Sequence, residues 1–196
     1  MSRRRQISLL VLVMALGCLT ALRARAETVD VAKAAKVKAA YLLNFVRYTE
    51  WPDHAFSSPG HPIVLTVVGD CDLIDVLAEA IGRGGPVGGR PVALRRATLP
   101  RGELNSFYEG LLQSHLVYLC SVDRVQLVGI LRRLRGADVL TVSDLPHFAE
   151  HGGMLGFLLD QDRIVFEANP KALETTGVNV SAKVLKLARI VEPEGQ

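Results

Sequence analysis

The sequence predicts an α/β fold: a largely parallel sheet flanked by helices on both faces, with a C-terminal β-hairpin followed by two helices. Three observations predict it. From Ile63 onward, strand-like and helix-like segments alternate. The strand-like segments, such as Ile63-Val64-Leu65-Thr66-Val67-Val68, are continuous apolar runs, as expected of strands covered on both sides. The tail breaks that rhythm, because two strand-like runs flank Asp160-Gln161-Asp162 with turn-like spacing.

The elements follow in order. Val29 to Tyr48 is rich in Ala, Lys, Leu and Val, has Thr28 or Asp30 as N-cap, and repeats Val37, Ala40, Tyr41 and Phe45 at helical spacing. Trp51-Pro52 ends it, and Ser57-Ser58-Pro59-Gly60 is a loop. After the first buried strand, Asp72 to Ile81 reads as a helix capped by Asp70 or Asp72. Gly82 to Gly89 is a connector, and Pro91 to Arg96 is a shorter, alternating strand of edge character. Leu104 to Gln113 is helical, Leu116 to Cys120 is a strand, and Asp123 caps a helix to Arg135. Val139 to Val142 is a further strand. Met154 to Leu159 and Arg163 to Ala168 form the hairpin. Asn169 caps a helix with Pro170 at its first position and Gly177 past its end, and Ser181 caps a last helix through Ala188. No repeat or linker divides the chain after its leader, so residues 27–196 read as one domain of 170 residues.

The first 26 residues read as a signal peptide. Arg3-Arg4-Arg5 is its basic region, Ile7 to Leu22 its apolar region, and Ala24-Arg25-Ala26 its cleavage site. The apolar run is shorter than the roughly 20 residues a bilayer span needs, though an uncleaved anchor is the alternative. Ser2-Arg3-Arg4 weakly resembles a twin-arginine signal, and the route of export stays open. Gly17-Cys18 raises a lipoprotein site, but Ala15-Leu16 before it fit that motif poorly. The leader holds five of the 23 basic residues and none of the 20 acidic ones, so from Glu27 on 18 cations face 20 anions, a charge of −2. No Lys/Arg stripe remains to neutralise a phosphate backbone, and nucleic acid is excluded as a partner. With 6% aromatic residues and one tryptophan, a base- or sugar-stacking surface is excluded as well.

An exported chain meets an oxidising compartment. Cys71 and Cys120 each end a predicted strand, and if those strands are parallel neighbours their ends lie within bridging reach. An even count supports a disulfide; two buried, unreacted thiols are the alternative.

Motifs that carry chemistry are scarce. Arg83-Gly84-Gly85-Pro86-Val87-Gly88-Gly89-Arg90 is rich in glycine, but it leaves a helix and enters a strand. A phosphate-cradling loop has the opposite order, so this reads as a connector. Neither a Gly-x-Ser-x-Gly elbow nor a His-Glu-x-x-His motif is present. His147 and His151 could share a helical face and hold a metal weakly, although solvated polar side chains before a glycine turn explain them more simply. No catalytic residue, metal ligand or cofactor site is assigned. Asp70, Asp72, Ser121 and Asp123 fall near the carboxyl edge of the predicted sheet, where open α/β folds bind ligands, and equally suit turns and caps. Tyr41, Phe45, Tyr48 and Trp51 are candidate anchors for a protein partner if exposed, and core if not. Glu167, without a capping role, and Lys183 are the polar candidates.

Two stretches carry a resemblance. Lys38-Ala39-Ala40-Tyr41-Leu42-Leu43-Asn44-Phe45 with Glu50-Trp51-Pro52 resembles the opening signature of the YfiR-like periplasmic proteins. So does the C-terminal block of Gly152-Gly153-Met154, Phe157, Val165-Phe166-Glu167, Asn169, Gly177, Ser181 and Lys183-Val184-Leu185-Lys186-Leu187-Ala188. Family members commonly place two serines before the lysine, where this chain has Ser181-Ala182. The resemblance spans roughly Val31 to Val191. It implies a Rossmann-like α/β sandwich, often a homodimer, acting as a non-enzymatic periplasmic regulator. The best-known member binds the periplasmic domain of a membrane diguanylate cyclase and holds it inactive. Release, linked to an outer-membrane lipoprotein, allows cyclic-di-GMP synthesis and biofilm growth. That member carries additional cysteines, whereas this chain has one pair after the leader.

The expected function is therefore a periplasmic repressor of a diguanylate cyclase. A small-molecule sensor acting on another membrane receptor is the alternative, and an uncharacterised hydrolase a distant third, for want of a nucleophile–base pair.

Overall fold

The structure, a computed structural model, describes residues 31–192 except 101 and 162. The expected signal peptide and its cleavage after Ala26 lie outside the described residues.

Helix α1 covers residues 31–47. Its buried stripe is Ala35, Ala39, Leu42, Phe45 and Val46, so Ala40 of the expected stripe faces solvent and Tyr41 lies at its margin. The order continues β1 (Thr49–Glu50), β2 (Ile63–Val68), α2 (Leu73–Arg83), β3 (Val92–Ala97), α3 (Asn105–Leu112), β4 (Leu116–Leu119) and α4 (Arg124–Leu134). It ends β5 (Leu140–Ser143), β6 (Leu155–Asp160), β7 (Arg163–Ala168), α5 (Pro170–Glu174), β8 (Asn179–Val180), α6 (Ala182–Leu185) and β9 (Arg189–Ile190).

Seven strands form one sheet in the order β3-β2-β4-β5-β6-β7-β9. The first five run parallel, β7 returns antiparallel to β6, and β9 lies parallel to β7. The α/β class, the parallel sheet, the edge position of β3 and the C-terminal hairpin all match the sequence reading. Helices cover both faces. α1 and α2 pack with Leu65, Val67, Leu116, Tyr118, Leu140, Val142 and Phe157 in one core. α3 and α4 pack with Val68, Val117, Leu119, Val139 and Phe148 in the other.

Three local expectations are corrected. The last helix stops at Leu185 rather than Ala188, because the chain then enters β9 and pairs Arg189 and Ile190 with Glu167 and Ala168. β1 and β8 form an unexpected two-stranded sheet, Thr49 opposite Val180. Two-residue strands leave no period to read. Asp72 occupies the cap position of α2 but makes no side-chain cap bond. Asp123, by contrast, forms a full capping box with Gln126, and Asn169 accepts from the Ala172 amide.

The glycine-rich connector is a tight reversal. Val87 and Arg90 exchange backbone hydrogen bonds of 2.8 and 2.9 Å around Gly88 and Gly89, both at positive φ. The turn delivers Arg90, whose guanidinium donates to the carbonyls of Ser58, Pro59 and His61 and lies 3.7 Å over the Phe56 ring.

The strand order reverses between β2 and β4, since β2 leads outward to β3 and β3 returns past it to β4. That switch point is the usual ligand crevice of an open α/β sheet. Here it is shut. Gly69 sits at φ +93°, and a Cβ there would overlap the carbonyl oxygen of Cys120. Cys71 and Cys120 are joined by a disulfide with their Cα atoms 6.5 Å apart. Ser121 donates to the Asp70 carbonyl (2.9 Å) and Asp123 caps α4, so two of the four polar residues of this edge, Ser121 and Asp123, are committed to a turn and a cap.

The disulfide closes a segment with a sequence separation of 49. Loop-closure entropy assigns it about 4 kcal/mol at 25 °C. Thiol titration of the oxidised, denatured chain from Glu27 should find no free cysteine, and denaturant melts of Cys71→Ser/Cys120→Ser should show a loss of that order. Two titratable thiols would remove the bridge.

Candidate interaction surface

The structure separates the sequence candidates by burial. Phe45 is fully buried and Trp51 nearly so. Both are core, which removes them as surface anchors. Phe45 lies between Phe157 (5.8 Å, stacked) and Phe166 (5.1 Å, edge-on), and Tyr41 meets the same two rings at 5.7 and 5.6 Å. Tyr41 is half-buried, and its hydroxyl donates to the Ile164 carbonyl at 3.4 Å. These rings fasten α1 to the β6–β7 hairpin. Tyr48 is 47% exposed, and Lys183 is exposed on α6. The chain brings these two to one corner, where the Ser181 amide donates to the Tyr48 carbonyl at 2.8 Å.

Glu167 stands elsewhere. On β7 Phe166 and Ala168 point to the α1 core, so Glu167 and Val165 point to the opposite face, where Glu167 lies opposite Gly156 on β6 and Arg189 on β9. It is half-buried. Burial raises its carboxyl pKa and Glu150 raises it further, while Arg189 and His147 oppose the rise. Around it lie Leu158 and Val165, half-buried, and an Arg189–Asp160 ion pair. Leu159 (71%), Leu187 (74%) and Ile190 (58%) are the exposed large aliphatics of this end of the sheet. Leu159 and Ile190 alternate to the α1 side, so on its own face Glu167 stands beside a charge pair and the half-buried Leu158 and Val165, a combination that suits recognition of another protein surface.

Two polar groupings escaped the sequence reading. On the α1 face, Lys38 donates to Asp144 just past β5, and Asp144 faces the hydroxyl of buried Tyr118. Burial first, then Asp144, push the Tyr118 pKa far up, so the phenol stays protonated. Lys38 and Asp144 are 106 residues apart, and no local pattern links them. At the amino end of the sheet, His115 is buried beneath Phe56 (4.5 Å, stacked) and beside Trp51, whose indole donates to the His115 carbonyl at 2.9 Å. The Val64 amide donates to His115 Nδ1 at 3.0 Å, so that nitrogen carries no proton. The ring's Nε2 has no partner among the described residues.

His147 and His151 are each engaged through Nδ1, with the Glu150 carboxylate and the His147 carbonyl (both 2.7 Å). Among the described residues no group of three or more His, Cys, Asp or Glu is placed to hold a metal ion.

The two motif-bearing stretches meet at one joint. Asp138, leading into β5, accepts from the Gly177 amide (2.7 Å) and pairs with His54 (2.7 Å). A Cβ at Gly177 would stand 2.8 Å from Asp138 Oδ1 and 3.1 Å from Pro52. Trp51-Pro52 and Gly177 are thus a structural clasp beside the β1–β8 pair. A family model described as YfiR/HmsC-like matches residues 35–189, from the first buried turn of α1 to β9. The chain belongs to the YfiR/HmsC-like family. Among its described residues no helix is long and apolar enough to cross a membrane.

In this YfiR/HmsC-like chain the aromatic stripe is a stability element. Phe45→Ala should cost about 3–5 kcal/mol in denaturant melts, and Tyr48→Ala within about 0.5. His115 carries a pH dependence. Burial, aided by His61 and Arg90 and opposed by the Ala55 carbonyl, lowers its pKa from 6.5 to about 4. The unfolded chain therefore takes up the proton first, and the stabilisation, complete above pH 6.5, is lost as pH falls towards 4. His115→Asn should flatten the melting temperature across that window; an unchanged slope would place the effect on other groups.

Proposed function

We propose that this chain is a non-enzymatic periplasmic regulator that binds the periplasmic domain of a membrane diguanylate cyclase and represses it, lowering cyclic-di-GMP signalling and biofilm formation. The observation that carries this reading is the YfiR/HmsC-like match over residues 35–189. The disulfide between Cys71 and Cys120 suits an oxidising, extracytoplasmic compartment. In this reading the chain is exported by its leader, acts as a homodimer, and is released from the cyclase through an outer-membrane lipoprotein.

The mechanism is differential affinity. A repressor that binds the inactive form of a receptor more tightly shifts the population towards it, and a tenfold preference contributes about 1.4 kcal/mol. Taking the receptor from 1:99 to 99:1 needs about 5.5 kcal/mol. A preference of that size calls for an extended contact, and the hairpin face with Glu167, together with the exposed Tyr48 and Lys183, is assigned to it. Phe45, Trp51 and Tyr41 support the surface from beneath.

The test is affinity capture with residues 27–196 from solubilised membranes of the source bacterium, with mass-spectrometric identification. The expected catch is a protein that pairs a periplasmic region with a cyclase domain, and Glu167→Arg should weaken its capture at least tenfold while the fold melts normally. Deleting the gene should raise cellular cyclic-di-GMP. Unchanged cyclic-di-GMP and capture of a receptor without a cyclase domain would move the chain to another pathway.

A further inference from the structure

The usual ligand crevice of this fold is sealed, yet the structure holds a second concavity. A cleft of about 590 Å³ opens between α4 and α5, over β5 and the turn before β6. That volume lies within the range of small-molecule sites. Its apolar wall comes from Val128, Leu131 and Met154, and its charged groups are Arg132, Arg135 and Lys171. No carboxylate lines it.

The cations are available. Neither Arg132 nor Arg135 makes an ion pair among the described residues, and both are exposed. Lys171 reaches only the exposed Glu192, at 3.8 Å. Arg132 in the last turn and Arg135 at the C-cap both stand where the dipole of α4 favours a cation, whereas Lys171 comes from another helix and converges on the same cleft. Two polar side chains of the floor are engaged within the fold. Thr141 Oγ1 is taken by the Met154 amide (3.1 Å), and Asn169 spends its side chain on Ala149 and Ala172. The other large cleft, at the amino end of the sheet, differs: its His54 and Asp138 pair with each other, and its Arg95 is bonded to Thr66, Ser114 and Gly110.

We propose that the α4–α5 cleft binds a small organic anion, a carboxylate or phosphate monoester on an apolar body, with Arg132, Arg135 and Lys171 holding the anion. The apolar wall takes the body. On a chain whose part after the leader is net negative, this is a local positive site with its own field.

Calorimetric titration of residues 27–196 tests it with three probes. Phenyl phosphate carries both features, inorganic phosphate the anion alone, and phenol the body alone. Phenyl phosphate should bind with 1:1 stoichiometry, at least tenfold more tightly than either fragment and more weakly as salt rises. Arg132→Glu/Arg135→Glu, at two exposed positions, should lower its affinity at least tenfold. Lys186→Glu, an exposed change outside the cleft, should leave it alone. Equal affinity for phenyl phosphate in the wild type and the double variant, or no binding by any probe, would overturn the proposal. If no probe binds and the double variant loses membrane-partner capture, the cleft belongs to an acidic segment of that partner instead. The regulator reading survives either result, because it rests on the family match and not on this cleft.

Discussion

Gly69 and Cys120 bring the carboxyl ends of β2 and β4 so close that no side chain fits between them, and the Cys71–Cys120 disulfide holds them there. That closure decides where the fold can act. An open parallel sheet ordinarily offers its switch point to a ligand, with helix N-termini and loop amides facing the crevice. In this chain Ser121 and Asp70 bond to each other's segment, Asp123 caps its own helix, and backbone occupies the space. The surfaces proposed above for recognition lie instead on the flank and the far end of the sheet. There the hairpin presents Glu167 on one face, and the α4–α5 cleft presents three cations.

The reversed end depends on α1. β7 and β9 run against the other strands, and an antiparallel hairpin alone is marginal in water. Tyr41 and Phe45 cover its inner side by meeting Phe157 and Phe166, and the Lys38–Asp144 pair holds the same helix to the end of β5. Burying two to four aromatic rings contributes several kcal/mol, well above the few tenths expected from the partly exposed ion pair. The rings anchor the helix, and the ion pair sets where along the sheet it rests. A partner that gripped the outer face of the hairpin would therefore engage a surface already made rigid from within, with little ordering cost on binding.

Much of this was legible in the chain because buried parallel strands leave an unmistakable mark. Ile63 to Val68 has apolar side chains on both faces, and its neighbours repeat the pattern at βα spacing. Caps with a specific chemistry, Asp123 with Gln126 and Asn169 before Pro170, were readable for the same local reason. What escaped was non-local or too short. β1, β8 and β9 have two residues each: β1 and β8 pair beside the joint where Pro52 and Gly177 meet Asp138, and β9 exists because the chain returns alongside β7. Ala188 could not announce that it leads into a strand rather than ending a helix. The aromatic candidates, open in the sequence between surface anchor and core, are divided by burial, which local pattern does not encode: Phe45 and Trp51 are core, and Tyr48 is exposed.

The cleft and the hairpin are not independent objects. Asn169 follows the last residue of β7 and caps α5, so a single residue joins the strand that displays Glu167 to the helix that displays Lys171. Asn169 also donates to the Ala149 carbonyl, in the loop that carries Glu150 and His147 towards Glu167. An anion drawn to Arg132, Arg135 and Lys171 would hold α5 against α4, and the strain would pass to the residues flanking Asn169 on both sides. Coupling of this kind needs a ligand that favours one arrangement of the hairpin over another, and it is reciprocal: a partner bound at Glu167 would tune the cleft by the same factor. A buried asparagine bonded through both Nδ2 and Oδ1 is held in place, since moving it would leave the Ala149 carbonyl or the Ala172 amide unpaired, at about 1–3 kcal/mol each. That cost is of the size by which regulatory ligands shift equilibria.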